Sequence, residues 1–276
     1  MAVPRVDLTT ELLSQEPVIR LAMFLGIFSL MSVLEGVASR RRRSVSRLRR
    51  WPGNLGVAAL DALLARVAVP AGAVGFALFA QARGWGFLQP LGWPVWLKVI
   101  IAVVVLDLAI YLQHRAFHLV PVLWRLHRMH HADPDVDVTT GARFHPCEIL
   151  LSLGVKFLII VILGAPAMSV LLFEVLLNAT AMFNHSNVRV PALMERVLRC
   201  FVVTPDLHRV HHSILRRETD SNFGFNLPWW DWLFRTYRAQ PEAGHDDMIL
   251  GLEQFREPNE LRLDRMLTQP FRQADQ

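Results

Sequence analysis

Two stretches of six residues, LHRMHH at 126–131 and LHRVHH at 207–212, differ at one position. Each carries histidines at i, i+3 and i+4: His127, His130 and His131 in the first, His208, His211 and His212 in the second. Upstream, HRAFH places His114 and His118 at i and i+4. On a helix each set projects from one stripe. The surroundings of the two boxes do not otherwise match, so this is not a duplicated domain. Imidazole is a neutral ligand that suits iron, zinc or copper. Eight such groups exceed the need of one ion, so the pattern predicts two ions close together. Di-metal carboxylate sites in helix bundles use Glu and Glu-x-x-His. These boxes contain no acid, so the centre is predicted to be mostly histidine.

The elements that must position these rings are apolar helices. The chain is 53% apolar, above the usual range for soluble domains, and its mean hydropathy is +0.30. Residues 17–39, 55–80, 94–117, 147–163 and 166–184 are each long and apolar enough, or nearly so, to cross a bilayer. The first begins after a polar N-terminus and lacks an A-x-A-like site before the arginines, so it reads as an anchor and not a cleaved signal. The run SRRRRSVSRLRRW (39–51) holds seven arginines and no acid. Between two spans it reads as a cytoplasmic loop obeying the positive-inside rule, not as a nucleic-acid site. Contact with anionic headgroups is compatible with that reading. With this loop inside, the third span ends on the cytoplasmic face, and the last two form a hairpin through the GAP turn (164–166). Every clustered histidine then falls on one face of one membrane. Cys147 and Cys200 have no CxxC partner, so the chain is no disulfide scaffold.

The spans carry polar residues of their own. Asp107, Tyr111, His114 and His118 fall within about 60° of one another on an ideal helix. An aspartate inside an apolar span is costly, and Asp107 is predicted to accept the far N–H of a ligand histidine. His185 shares a face with Glu174, Asn178 and Ala181 and arrives beside the boxes, as a ninth ligand. His145, in RFHPCE, reads as a ligand or as lining the site mouth. His245, in EAGHDD, reads as solvated surface. Lys156 and Glu174 lie equally far from Ala165, so antiparallel helices would bring them level as a buried ion pair.

HRAFH, HRMHH, ARFHP, FNHSN, HRVHH and NFGFNLPWWDWLFRTY together resemble the fatty acid hydroxylase / sterol desaturase superfamily over about residues 94–240. The resemblance implies a di-iron centre, with zinc as a substitute, that activates O2 to hydroxylate or desaturate a lipid. It carries ligand roles to His114, His118, His127, His130, His131, His208, His211 and His212, and Asn184–His185 matches the family's late Asn-His. Trp230, Asp231 and Phe234 match its late aromatic block, and Asn184 and Asp231 are expected to support the ligands. Some fatty acid hydroxylases carry a further histidine where this chain has Ala181. No haem-binding cytochrome pattern adjoins the motifs, so a separate electron-donor protein is expected.

The resulting expectation is an all-α integral membrane bundle of four or five spans with a cytoplasmic histidine-rich cap. Residues 1–93 would form anchor spans, 94–240 the catalytic domain and 241–276 a polar tail. The composition, rich in Ala, Val, Leu and Arg, suggests a bacterial inner membrane. Two readings compete. A histidine-rich metal transporter would place its ligands near mid-membrane on broken helices. A zinc hydrolase would need fewer histidines and a carboxylate base beside the metal.

Overall fold

Proline opens most of the helices that matter. The chain is described here by a computed structural model, over residues 8–273. The first seven residues of the expected anchor and the last three of the expected tail lie outside that range. The helices are α1 (Leu8–Ser14), α2 (Glu16–Val37), α3 (Arg47–Ala68), α4 (Gly72–Ala82), α5 (Val95–Leu119), α6 (Pro121–His131), α7 (Pro146–Leu163), α8 (Ala167–Asn184), α9 (Ala192–Leu198) and α10 (Pro205–His211). Pro121, Pro146 and Pro205 sit in the first turn of α6, α7 and α10. There the missing N–H is harmless and the fixed φ suits the helix. Shorter turns follow at Arg216–Thr219, Trp229–Leu233, Gly244–Asp247 and Leu263–Thr268. The described residues contain no strand, and the expected all-α class holds.

Five segments are long and apolar enough to cross a membrane: α2, α3 with α4, α5, α7 and α8. The span expected at 55–80 begins earlier, inside the arginine run, and breaks at Val69–Ala71, ahead of Gly72 with φ +63°. α8 is the central post: half of its apolar window is buried, against 6–28% for the others. It packs on α2, α4 and α5. The α7–α8 turn reaches the loop after α4. Phe87 N and Leu88 N donate to Ile162 O and Leu163 O at 3.0 and 2.7 Å. Gly86 and Gly164 both have positive φ, and a Cβ on Gly86 would stand 1.9 Å from Gly164 N. The hairpin therefore extends to the end of the bundle opposite the histidines.

Lys156 Nζ lies 2.5 Å from Glu174 Oε1, as the matched depth predicts. The sequence did not reveal a third member: Arg20 of α2 lies 3.1 Å from Glu174 Oε2. One carboxylate thus joins three spans. Lys156→Met leaves Glu174 with Arg20, whereas Glu174→Gln leaves Lys156 without a carboxylate and Arg20 with Glu16 alone, so the second should destabilise more. Breaking a buried pair costs about 3–5 kcal/mol, and the double variant should recover part of the loss. Thermal unfolding in detergent checks this; strictly additive losses would mean that the side chains do not couple.

The arginine run does more than set topology. Arg40 contacts Asp206 and Asp246, and Arg47 pairs with buried Glu35 at 2.6 Å. Arg50 is fully buried, bidentate to Asp133 at 2.6 and 2.8 Å and 2.7 Å from Asp137. Burial pushes the Asp133 carboxyl up, but Arg50 and Arg143 outweigh it and hold the group below the ordinary carboxylate range. The expected polar tail also packs. Arg125 donates to Pro270 O at 2.7 Å and Arg128 to Gln269 O, while Met266 packs with Val57 and Met129. Residues 258–272 buttress α6 against α3.

Candidate metal centre

α5 delivers His114 and His118 from its last two turns, and Pro121 restarts the chain so that α6 returns His127, His130 and His131 beside them. His185 caps α8. α10, capped by Thr204 Oγ1 accepting from Leu207 N at 3.3 Å, carries His208 and His211, and His212 follows. All nine rings are buried. They fall into two groups: His114, His118, His127, His131 and His211 in one, and His130, His185, His208 and His212 in the other. Within each group one nitrogen per ring lies within 4.8 Å of the others.

The partition explains why the box is written twice. Residues i and i+4 are about 40° apart on a helix, while i+3 lies about 60° to the other side of i. His127 and His131 accordingly face one group and His130 the other. The second box does the reverse, giving His208 and His212 to the smaller group and His211 to the larger. Each box contributes two rings to one position and one to its neighbour.

The tautomers test whether the rings suit a cation. Nδ1 of His114 donates to Phe223 O at 2.8 Å, of His130 to Arg143 O at 3.1 Å, of His185 to Ala181 O at 2.7 Å and of His211 to Ser221 O at 2.7 Å. A carbonyl only accepts, so each Nδ1 carries the proton and each Nε2 a bare lone pair. Yet His130 Nε2 and His185 Nε2 lie 3.1 Å apart. Two lone pairs that close repel unless a cation sits with them. Nε2 of His118, His131 and His211 and both nitrogens of His212 are buried without a hydrogen-bond partner among the described residues. Burial holds His130, His131, His208, His211 and His212 well below the usual imidazole range, and lowers His185 to about 4 and His127 to about 3. The rings are neutral at pH 7, the state that binds metal. The donor set fits two ions.

The remaining expected residues lie elsewhere. Asp107 touches no histidine: its Oδ2 accepts from Trp230 Nε1 at 2.7 Å and from Leu227 N at 3.4 Å, because α5 turns that flank toward the 223–231 loop. Asp231 accepts from Phe223 N, Gly224 N and Thr236 Oγ1 at 2.7–2.9 Å, which fixes the loop whose Phe223 carbonyl holds His114. Asn184 donates to Phe225 O at 3.0 Å and meets no ring. His145 belongs to neither group; its Nδ1 accepts from Cys147 N at 3.2 Å as the N-cap of α7. His245 is buried 3.7 Å from Asp206, not solvated.

Two acids the sequence reading passed over do reach the rings. Glu148 Oε1 accepts from His127 Nδ1 at 2.7 Å, and Asp220 Oδ1 lies 3.2 Å from His118 Nδ1. Glu148 left a signal, an acid in the first turn of an apolar span. Asp220, in ETDSN, left none. Glu148→Leu should weaken metal binding about 10–100-fold, the usual cost of losing such a partner. Competition with a chelator measures it, and unchanged affinity would make the contact incidental.

A cavity of about 420 Å³ reaches His114 and His127 from between the spans, with Ile110, Phe144, Leu153 and Phe225 among its apolar walls.

The comparisons agree with this geometry. The family model described as fatty acid hydroxylase matches residues 99–236, half of the chain. Ornithine lipid hydroxylase OlsE of Rhizobium tropici is 30% identical over 159 residues, 58% of this chain and 47% of that protein. Alkylglycerol monooxygenase of Homo sapiens is 26% identical over 136 residues, 49% of this chain and 29% of its own length. Fatty acid hydroxylase vlmA of Lecanicillium sp is 30% identical over 166 residues, 54% and 45% of the two lengths. The chain thus spans about half or less of each of these relatives. No solved structure gives a significant match.

Proposed function

The chain belongs to the fatty acid hydroxylase family, and from that premise we propose that it is a membrane oxidoreductase that uses O2 to hydroxylate or desaturate a lipid. The observation that carries this reading is the meeting of two rings of the larger histidine group, His114 and His127, with one end of a cavity between the spans. The relatives are named for an ornithine lipid, an alkylglycerol and a fatty acid. What such molecules share is a long alkyl or acyl chain, which the cavity suits.

The nine histidines would hold two iron ions, with zinc able to substitute, and such a pair supplies the oxidising power needed to break an unactivated C–H bond. The protein's own part is positional. The backbone carbonyls of Phe223, Arg143, Ala181 and Ser221 and the carboxylate of Glu148 lock the ring orientations. Phe144 and Phe225 line the cavity as apolar walls beside His114 and His127. The reacting carbon sits where the cavity meets His114 and His127. Electrons come from a separate donor protein docking on the histidine face, which we place in the cytoplasm of a bacterial inner membrane.

The rival readings account for less. A transport site would sit on the helix broken at Val69–Ala71, whereas the rings lie at the ends of α5 and α8 and on the segments beyond them. A hydrolase needs a carboxylate base free beside its metal, and Glu148 is bonded to His127. Metal analysis after anaerobic purification, then lipid profiling with and without O2, tests the proposal. Two ions per chain and O2-dependent lipid products are expected. A metal-free chain, or an unchanged lipid profile, would overturn it.

A further inference from the structure

The unmet hydrogen-bonding capacity of the cavity is one-sided. Three buried side-chain atoms of the residues lining it have neither a hydrogen-bond nor an ion-pair partner among the described residues: Asp61 Oδ1, Gln113 Oε1 and Glu148 Oε2. All three are oxygens. Two of these side chains are otherwise engaged, Gln113 with Ser152 and Glu148 with His127. Asp61 is not. It is 7% exposed, and its side chain makes no hydrogen bond or ion pair with any described residue.

An isolated carboxylate in an apolar wall is expensive. The cations that line the same cavity do not offset it. Arg20 is held by Glu16 and Glu174, Lys156 by Glu174, and Arg66 donates to Pro70 O at 2.6 Å. The protein supplies an acceptor and withholds the donor. A neutral hydroxyl would satisfy one oxygen but would do nothing to favour the ionised carboxyl over the neutral acid. An ammonium brings a full charge and three N–H donors, and the neighbouring free oxygens of Glu148 and Gln113 extend the same demand.

We propose that Asp61 binds a protonated amine carried by the lipid that fills this cavity. The inference rests on the lipid-oxidising reading of the site and narrows its substrate class to amine-bearing lipids, excluding those whose buried polar group is anionic.

Binding is measured on the purified, metal-loaded protein in neutral detergent at pH 7, without reductant, by displacement of labelled dodecylamine. The probes are dodecylamine, dodecanol and dodecanoate. The wild type should bind the amine at least about tenfold more tightly than the alcohol, since loss of one partner of a buried charge pair costs that or more, and should bind the carboxylate least. Asp61→Asn should lose the amine preference while keeping its affinity for dodecanol and its metal. Asp61→Glu should retain the preference and controls for misfolding of the first variant. Equal binding of amine and alcohol by the wild type, or a preference that survives in Asp61→Asn, would overturn the proposal. Oxidation of lipids without amine preference would sink this inference alone. Amine preference in a protein that oxidises no lipid would support it and sink the enzymatic reading.

Discussion

Alanine in place of His130 should cost the protein one of the two metal ions that we propose it holds and reduce turnover to background. His130 belongs to the four-membered group, so its removal leaves three rings, His185, His208 and His212. It also strands the Arg143 carbonyl, which receives the His130 N–H at 3.1 Å. Alanine at His211 should act from the other side, leaving His114, His118, His127 and His131. Four rings retain metal better than three, so the His211 variant should keep more metal than the His130 variant while losing as much activity. The loss in either case should exceed the roughly 10–100-fold expected for partners one bond further out. Metal analysis and turnover on the same preparations provide the check. Full occupancy in either variant would remove that residue from the ligand set.

Arg50→Ala should destabilise the protein more than any other substitution in the arginine run. The side chain is fully buried, and its loss removes the ion-pair partner of Asp137 and leaves Asp133 with the field of Arg143 alone. Breaking such a pair costs about 3–5 kcal/mol. The sign with pH follows from Asp133, whose folded carboxyl lies below its ordinary value. In the wild type that contribution is present above the unfolded carboxylate range and is lost as pH falls through the folded value. In the variant Asp133 protonates more readily, so the deficit should be largest at neutral pH and should shrink in acid. Thermal unfolding at pH 7 and at about pH 3, below the unfolded carboxylate value of about 3.9, reads the difference. A deficit that does not change with pH would mean that Arg50 acts through packing and not through charge.

The spans, the nine clustering histidines and the Lys156–Glu174 pair were legible in the sequence because each rests on a periodicity or a depth. Helical spacing places rings on a stripe, and equal distance from a turn brings two side chains level. What was not legible depends on rotation and long-range pairing. Asp107 shares a stripe with His114, yet its carboxylate meets Trp230, 123 positions away. Arg50 meets Asp133 at a separation of 83, and an arginine run beside two spans already has a sufficient explanation in charge topology. His145 read as a ligand or as lining the site mouth, but a histidine before Pro146 is equally a helix cap. The division of the rings into five and four was implicit in the spacing, since i and i+4 diverge from i+3, but required both boxes to be placed in space.

The allocation of rings also matters in time. Four of the five members of the larger group, His114, His118, His127 and His131, lie within 18 residues of one another, whereas His211 follows 80 residues later. At synthesis rates of about 5–20 residues per second, roughly 4–16 s separate α6 from α10. During that interval the ribosome has delivered a near-complete tetrad while the smaller group has only His130, until His185 appears. The larger position is open to whichever divalent ion the cell offers before its neighbour exists. If the proposed ions load during synthesis, the larger position fills first, and cells starved of iron but rich in zinc should produce chains mis-metallated there.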